Sequence, residues 1–168
     1  MEERHIYLLA QFDAAANQKL SDIYQELALA GFKGQQTPDI PYHFTLARFD
    51  VEYKDQVLTH AEKVCGEFGA FDVNLGNLGL FGLRVLFAAP VMNYELLRLH
   101  DVIVPDEPAT GIHTWTAHAT ILIDEPEAIQ RALPIVAKSF SPIHAKVESI
   151  GVYEFFPAVC LGNFRLRS

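Results

Sequence analysis

The chain has 168 residues, half of them apolar and a fifth charged, which suits a single compact unit with a sizeable core and excludes a disordered polymer. With 13 basic against 21 acidic residues the net charge is −8, and no Lys/Arg cluster supplies the counterion displacement that a duplex nucleic-acid footprint requires. Two cysteines, short apolar runs and an opening of Met1, Glu2, Glu3 and Arg4 exclude a disulfide framework, a membrane helix and a signal peptide, and predict a cytoplasmic protein.

The pattern predicts a strand over 4–13, then a helix capped by Asp13, with Leu20, Ile23, Tyr24 and Leu27 as its apolar stripe and Gly31 as its stop. Residues 33–41, with Gly34, Pro38 and Pro41, read as a loop, and 42–49 as a strand. Helical spacing of Val57, Ala61, Val64, Cys65 and Phe68 comes next, then two strands over 71–80 and 83–89. A short helix after Asn93 leads to a loop over 105–114 and a strand over 115–123. Asp124 to Glu127 resembles a capping box, so a helix starts there, and Pro134 is expected to kink or end it. Strands over 143–155 and 158–166 close the chain.

An internal repeat emerges. A His-x-Thr strand, a helix and a two-strand unit occur over 42–89 and again over 115–166 within a single domain spanning 1–168. Leu78, Gly79, Leu80 and Phe81 match Ile150, Gly151, Val152 and Tyr153, and the two motif histidines are 75 positions apart. Duplicated units related by a pseudo-two-fold axis bring equivalent strands face to face across a cleft.

The motifs are His43-Phe44-Thr45 and His118-Ala119-Thr120. In a strand, residues i and i+2 share a face roughly 6.5–7 Å apart. His43 and Thr45 therefore point one way, Phe44 and Leu46 the other; His118 and Thr120 are backed by Ala119 and Ile121 in the same manner. Two imidazoles and two hydroxyls around one small volume fit phosphoester chemistry. A neutral imidazole takes a proton from the attacking group, a protonated one supplies the leaving oxygen, and hydroxyls hold non-bridging oxygens. No metal or other cofactor is needed, and no metal-ligand spacing, Walker loop or dinucleotide fingerprint is present. The remaining histidines, including His113 in the loop before the second motif, lack this context.

These paired motifs resemble those of the 2H phosphoesterases, a superfamily that includes 2′,5′ RNA ligase-like proteins and cyclic nucleotide phosphodiesterases. The likeness covers nearly the whole chain. It implies a bilobal α+β fold with two pseudo-two-fold related lobes, antiparallel sheets lining a central cleft and helices packed outside. It also implies that His43 and His118 are the acid–base pair and that Thr45 and Thr120 bind phosphate. The implied substrate is a phosphodiester at a ribose 2′ position, such as a 2′,3′-cyclic phosphate on an RNA end or a small cyclic nucleotide. Arg48 resembles an arginine five residues after the histidine that approaches the phosphate, although strict alternation puts it on the Phe44 side unless the strand ends or bulges. Tyr42, Tyr153 and Phe81 are candidates for stacking a base. The alternative function is a non-catalytic nucleotide- or partner-binding module that uses the cleft as a phosphate sensor.

Overall fold

The computed structural model describes residues 3–104 and 114–168. Its elements are β1 (His5–Phe12), α1 (Ala14–Leu29), β2 (His43–Asp50), α2 (Lys54–Glu67), β3 (Phe71–Phe81), β4 (Val85–Pro90), α3 (Tyr94–Ile103), β5 (Ala119–Ile123), α4 (Pro126–Ser139), β6 (Ile143–Phe155) and β7 (Val159–Arg165). The fold is α+β, and every pairing between strands is antiparallel.

The antiparallel sheets of the two expected halves are joined into one open seven-stranded sheet, in the order β2-β1-β6-β3-β4-β5 with β7 added on β6. The length of β6 is the reason: residues 143–147 pair with β3 while residues 147–155 pair with β1, so one strand belongs to both halves. Exchanging β1 with β4, β2 with β5 and β3 with β6 reverses this order and leaves it unchanged. The repeating unit is therefore β-α-β-α-β, beginning one strand earlier than the 42–89 and 115–166 boundaries read from sequence. β4 is the counterpart of β1, and β7 has none. β2 and β5 stand at opposite ends of the order, yet they touch each other.

Ile6, Leu8 and Ala10 of β1 point into the core with Leu20 and Leu27 of α1, Ala61 and Val64 of α2, Leu99 of α3, and Ile129, Ala132 and Val136 of α4. The opposite face of β1 carries Tyr7, Leu9 and Gln11, which pair with Arg48, Thr45 and His43 of β2.

Local signals explain most helix ends. The Asp13 carboxylate accepts from the Ala16 N–H, and the Asn93 side chain accepts from the Leu96 N–H at 2.9 Å. α4 departs from expectation twice. Its N-cap is Glu125, whose carboxylate accepts from the Arg84 guanidinium at 2.7 Å instead of capping the helix, while the Asp124 carboxylate accepts from the Glu125 N–H at 2.8 Å. It also runs through Pro134 to Ser139. Pro134 lies on the exposed face, while Ile129, Ala132 and Val136 hold the buried face.

Candidate functional site

β5 starts at Ala119 rather than at residue 115, so His118 sits immediately before the strand, whereas His43 is the first residue of β2. The two imidazoles are anchored alike. His43 Nδ1 lies 2.8 Å from the Pro41 carbonyl, and His118 Nδ1 lies 2.9 Å from the Thr116 carbonyl. A carbonyl only accepts, so each Nδ1 carries a proton and donates it, which leaves each Nε2 to gain or lose a proton. Burial holds the His43 imidazole below its ordinary range; the Pro41 carbonyl opposes this, and the charge of nearby His118 adds to the lowering.

The ladder places the other groups. Gln11 is opposite His43, Leu9 opposite Thr45 and Tyr7 opposite Arg48. In the second half Phe87 is opposite Thr120 and Val85 opposite Ile123. Both ladders slip by one residue, at Leu46 and at Ile121, each three positions after its histidine. Such a bulge re-aims the side chains beyond it. Because Tyr7, Leu9 and Gln11 share a face, the slip turns Arg48 onto the face of His43 and Thr45, against strict alternation. Ile123 is its counterpart. Arg48 is exposed.

Thr45 and Thr120 both line a pocket of about 570 Å³, together with His43, Tyr42, Tyr7 and Phe155. His118 is outside that lining; its ring packs against Phe81 and Phe87, with centroids 4.6 and 5.3 Å away. Leu9 and Phe87, the cross-strand neighbours of Thr45 and Thr120, are buried without joining the main core. Burial, with a smaller push from Tyr24, raises the Tyr42 phenol to about 12, so it stays a neutral donor. Tyr153 is opposite Tyr7 and stacks toward Phe155 at 6.1 Å, outside the pocket lining. Its phenol is also raised, by burial first and then by Cys160.

Tyr7, Phe155 and Gln11 were not singled out by sequence. Gln11 is almost wholly buried, and its Oε1 accepts from Ser149 Oγ at 2.9 Å and from Asn163 Nδ2 at 2.8 Å. A polar residue in an apolar opening strand was the available signal. His113 lies outside the described residues. Among the described residues, no three His, Cys, Asp or Glu side chains are grouped to hold a metal ion, and no helix is long and apolar enough to cross a membrane.

Comparison with solved structures finds the same fold in E. coli LigT complexed with phosphate, at a TM-score of 0.65, 15% identity and 100% coverage of each chain. E. coli LigT complexed with 3′-AMP aligns at a TM-score of 0.64 and 15% identity, again over 100% of each chain. TT0787 of Thermus thermophilus aligns at 0.60 and 16% identity, over 98% of each chain. No curated protein sequence matches. The sequence model of the 2′-5′ RNA ligase superfamily matches residues 12–155, which contain both motifs and most of the sheet. The chain belongs to the 2′-5′ RNA ligase superfamily, the 2H phosphoesterases that its paired motifs resemble.

Proposed function

We propose that this protein is a metal-independent phosphoesterase that opens, or in reverse forms, a phosphodiester at a ribose 2′ position, with a 2′,3′-cyclic phosphate as the simplest substrate. The observation that carries this reading is the matched anchoring of two imidazoles, each donating Nδ1–H to the carbonyl two residues earlier and keeping Nε2 for chemistry.

The lowered proton affinity of His43 keeps it neutral near pH 7 and suits it to the base. Its Nε2 takes a proton from water as the water oxygen bonds to phosphorus. The bond from phosphorus to the leaving ribose oxygen breaks, and Nε2–H of protonated His118 supplies that oxygen with its proton. A phosphomonoester results. The Thr45 and Thr120 hydroxyls donate to the non-bridging oxygens, where charge develops, and Arg48 adds a cation on the His43 side. Tyr42 and Tyr153 offer faces to a base, joined by Tyr7 and Phe155. That E. coli LigT was solved with phosphate and with 3′-AMP supports a small nucleotide or RNA end as ligand. Two unpaired thiols, Cys65 buried and Cys160 exposed, suit a reducing cytoplasm.

The test is a screen of cyclic phosphate esters with EDTA present. Turnover is expected in the wild type, with a loss of about 100- to 10,000-fold in His43→Ala and in His118→Ala. Activity surviving both substitutions overturns the mechanism; tight binding without product favours the phosphate-sensor alternative.

A further inference from the structure

β2 and β5 end the strand order, so each has one edge without a neighbouring strand among the described residues. No ladder fixes such an edge from outside. In both cases the segment leading into the opposite motif holds it. On the β2 edge, the Trp115 indole N–H donates to the Thr45 carbonyl at 3.1 Å. The indole also lies flat on His100 of α3, with centroids 4.2 Å apart and planes at 13°. Trp115 stands three residues before His118.

On the β5 edge, the Gln35 N–H donates to the Ile123 carbonyl at 2.6 Å, and the Ile123 N–H donates to Gln36 Oε1 at 3.0 Å. Gln35 and Gln36 lie in the loop that runs into His43. Each motif is thus tied to the strand of the other, through bonds that span 70 and 87 positions.

We propose that Trp115 and Gln36 are positioning residues, two halves of a reciprocal clamp that sets the spacing between the His43 and His118 imidazoles. This rests on the phosphoesterase reading above, because two proton transfers at one phosphorus require both rings to reach the same group. A displacement on the order of 1 Å costs about 100-fold in such a step. Trp115 acts through the Thr45 carbonyl, and Gln36 through the Ile123 N–H.

Trp115→Phe keeps a ring against His100 and removes the donor; Gln36→Met keeps chain length and removes the acceptor. With a nucleoside 2′,3′-cyclic phosphate, each variant is expected to lose about 10- to 100-fold in kcat while KM stays within about twofold. A second readout needs no turnover: NMR of the histidine ring nitrogens during titration with inorganic phosphate. In the wild type both motif rings respond with one affinity, and in the variants the two responses separate. Variants with kcat within about twofold of wild type and a joint ring response overturn the clamp, as does a raised KM with intact kcat, the mark of a lost substrate contact. If Trp115→Phe lowers the melting temperature, Gln36→Met decides from the other side. Wild type that turns over no cyclic ester defeats the phosphoesterase reading instead, while the phosphate titration still scores the clamp.

Discussion

The Phe81 ring meets the His118 imidazole edge-on, with centroids 4.6 Å apart and planes at 84°. At the matching position of the other half stands Tyr153, turned toward Phe155. The two histidines thus share their backbone anchor but differ in their side-chain walls. Phe81→Ala removes one wall and lets the His118 ring leave its reactive orientation. The expected result is a loss of about tenfold in kcat. Stability should fall by only about 1 kcal/mol, the scale of one partly exposed aromatic contact. Kinetics beside a denaturant melt separate the two effects. An unchanged kcat removes Phe81 from the positioning of His118.

The environment of His43 gives stability a pH dependence of defined sign. Burial disfavours the protonated ring in the folded state and lowers its pKa below the ordinary 6.5. Between that ordinary value and the lower folded value, the unfolded chain binds a proton that the folded chain refuses. Stability therefore falls as pH drops through this window, and it levels off below the folded value. His43→Gln should flatten that part of the curve and leave the rest in place. Melting followed from about pH 7.5 to about pH 5 in both proteins checks this. Equal slopes would show that His43 titrates as it does in the unfolded chain. For the same reason, the acid limb of kcat/KM is expected below pH 6.5.

The two motifs are legible in the sequence because each sets a polar pair against an apolar backing, a contrast that alternation alone exposes. Their bulges are not. The extra residues Leu46 and Ile121 are apolar like Ala47 and Leu122 after them, so nothing in the composition marks a one-residue slip, and alternation puts Arg48 on the wrong face. β1 hides its functional side for a related reason. Ile6 to Ala10 is apolar at both faces, with Leu9 buried beside Thr45 and Leu8 in the core. The repeat shows at its histidines but is misassigned at its edge, because hairpins β3–β4 and β6–β7 look alike in sequence. Only the pairing of β1 with β6, between residues 135 or more positions apart, reveals that β4 corresponds to β1.

Gly79 and Gly151 carry the matched stretches, and both are held by space rather than by backbone angle. A Cβ on Gly79 would run into the Phe87 ring, which itself packs on His118. A Cβ on Gly151 would lie 2.5 Å from Gln11 Nε2 and 2.8 Å from the Tyr153 ring. Overpacking of this kind costs about 1–3 kcal/mol. Gly79→Ala should also reduce turnover by moving Phe87 beneath Thr120 and His118, and Gly151→Ala by moving Gln11 opposite His43. Melting and kinetics of the two single variants test this. Full activity at lowered stability would confine both glycines to packing.

Arg48 breaks the symmetry of the site, since Ile123 holds the equivalent place. An exposed guanidinium on the His43 face contributes nothing to the core, so Arg48→Ala should leave stability within about 0.5 kcal/mol. Its expected effect is on the anionic substrate. A charge-assisted hydrogen bond contributes about 1.5–3 kcal/mol, hence a loss of about 10- to 100-fold in kcat/KM. Arg48→Lys keeps the charge without the planar fork and should fall between. Salt provides the sharper reading. An exposed cation acts through a field that ions screen, so kcat/KM of the wild type should decline as ionic strength rises. The variant should lose most of that slope. Equal slopes and equal kcat/KM would mean that the bulge turns Arg48 onto this face without engaging the phosphate.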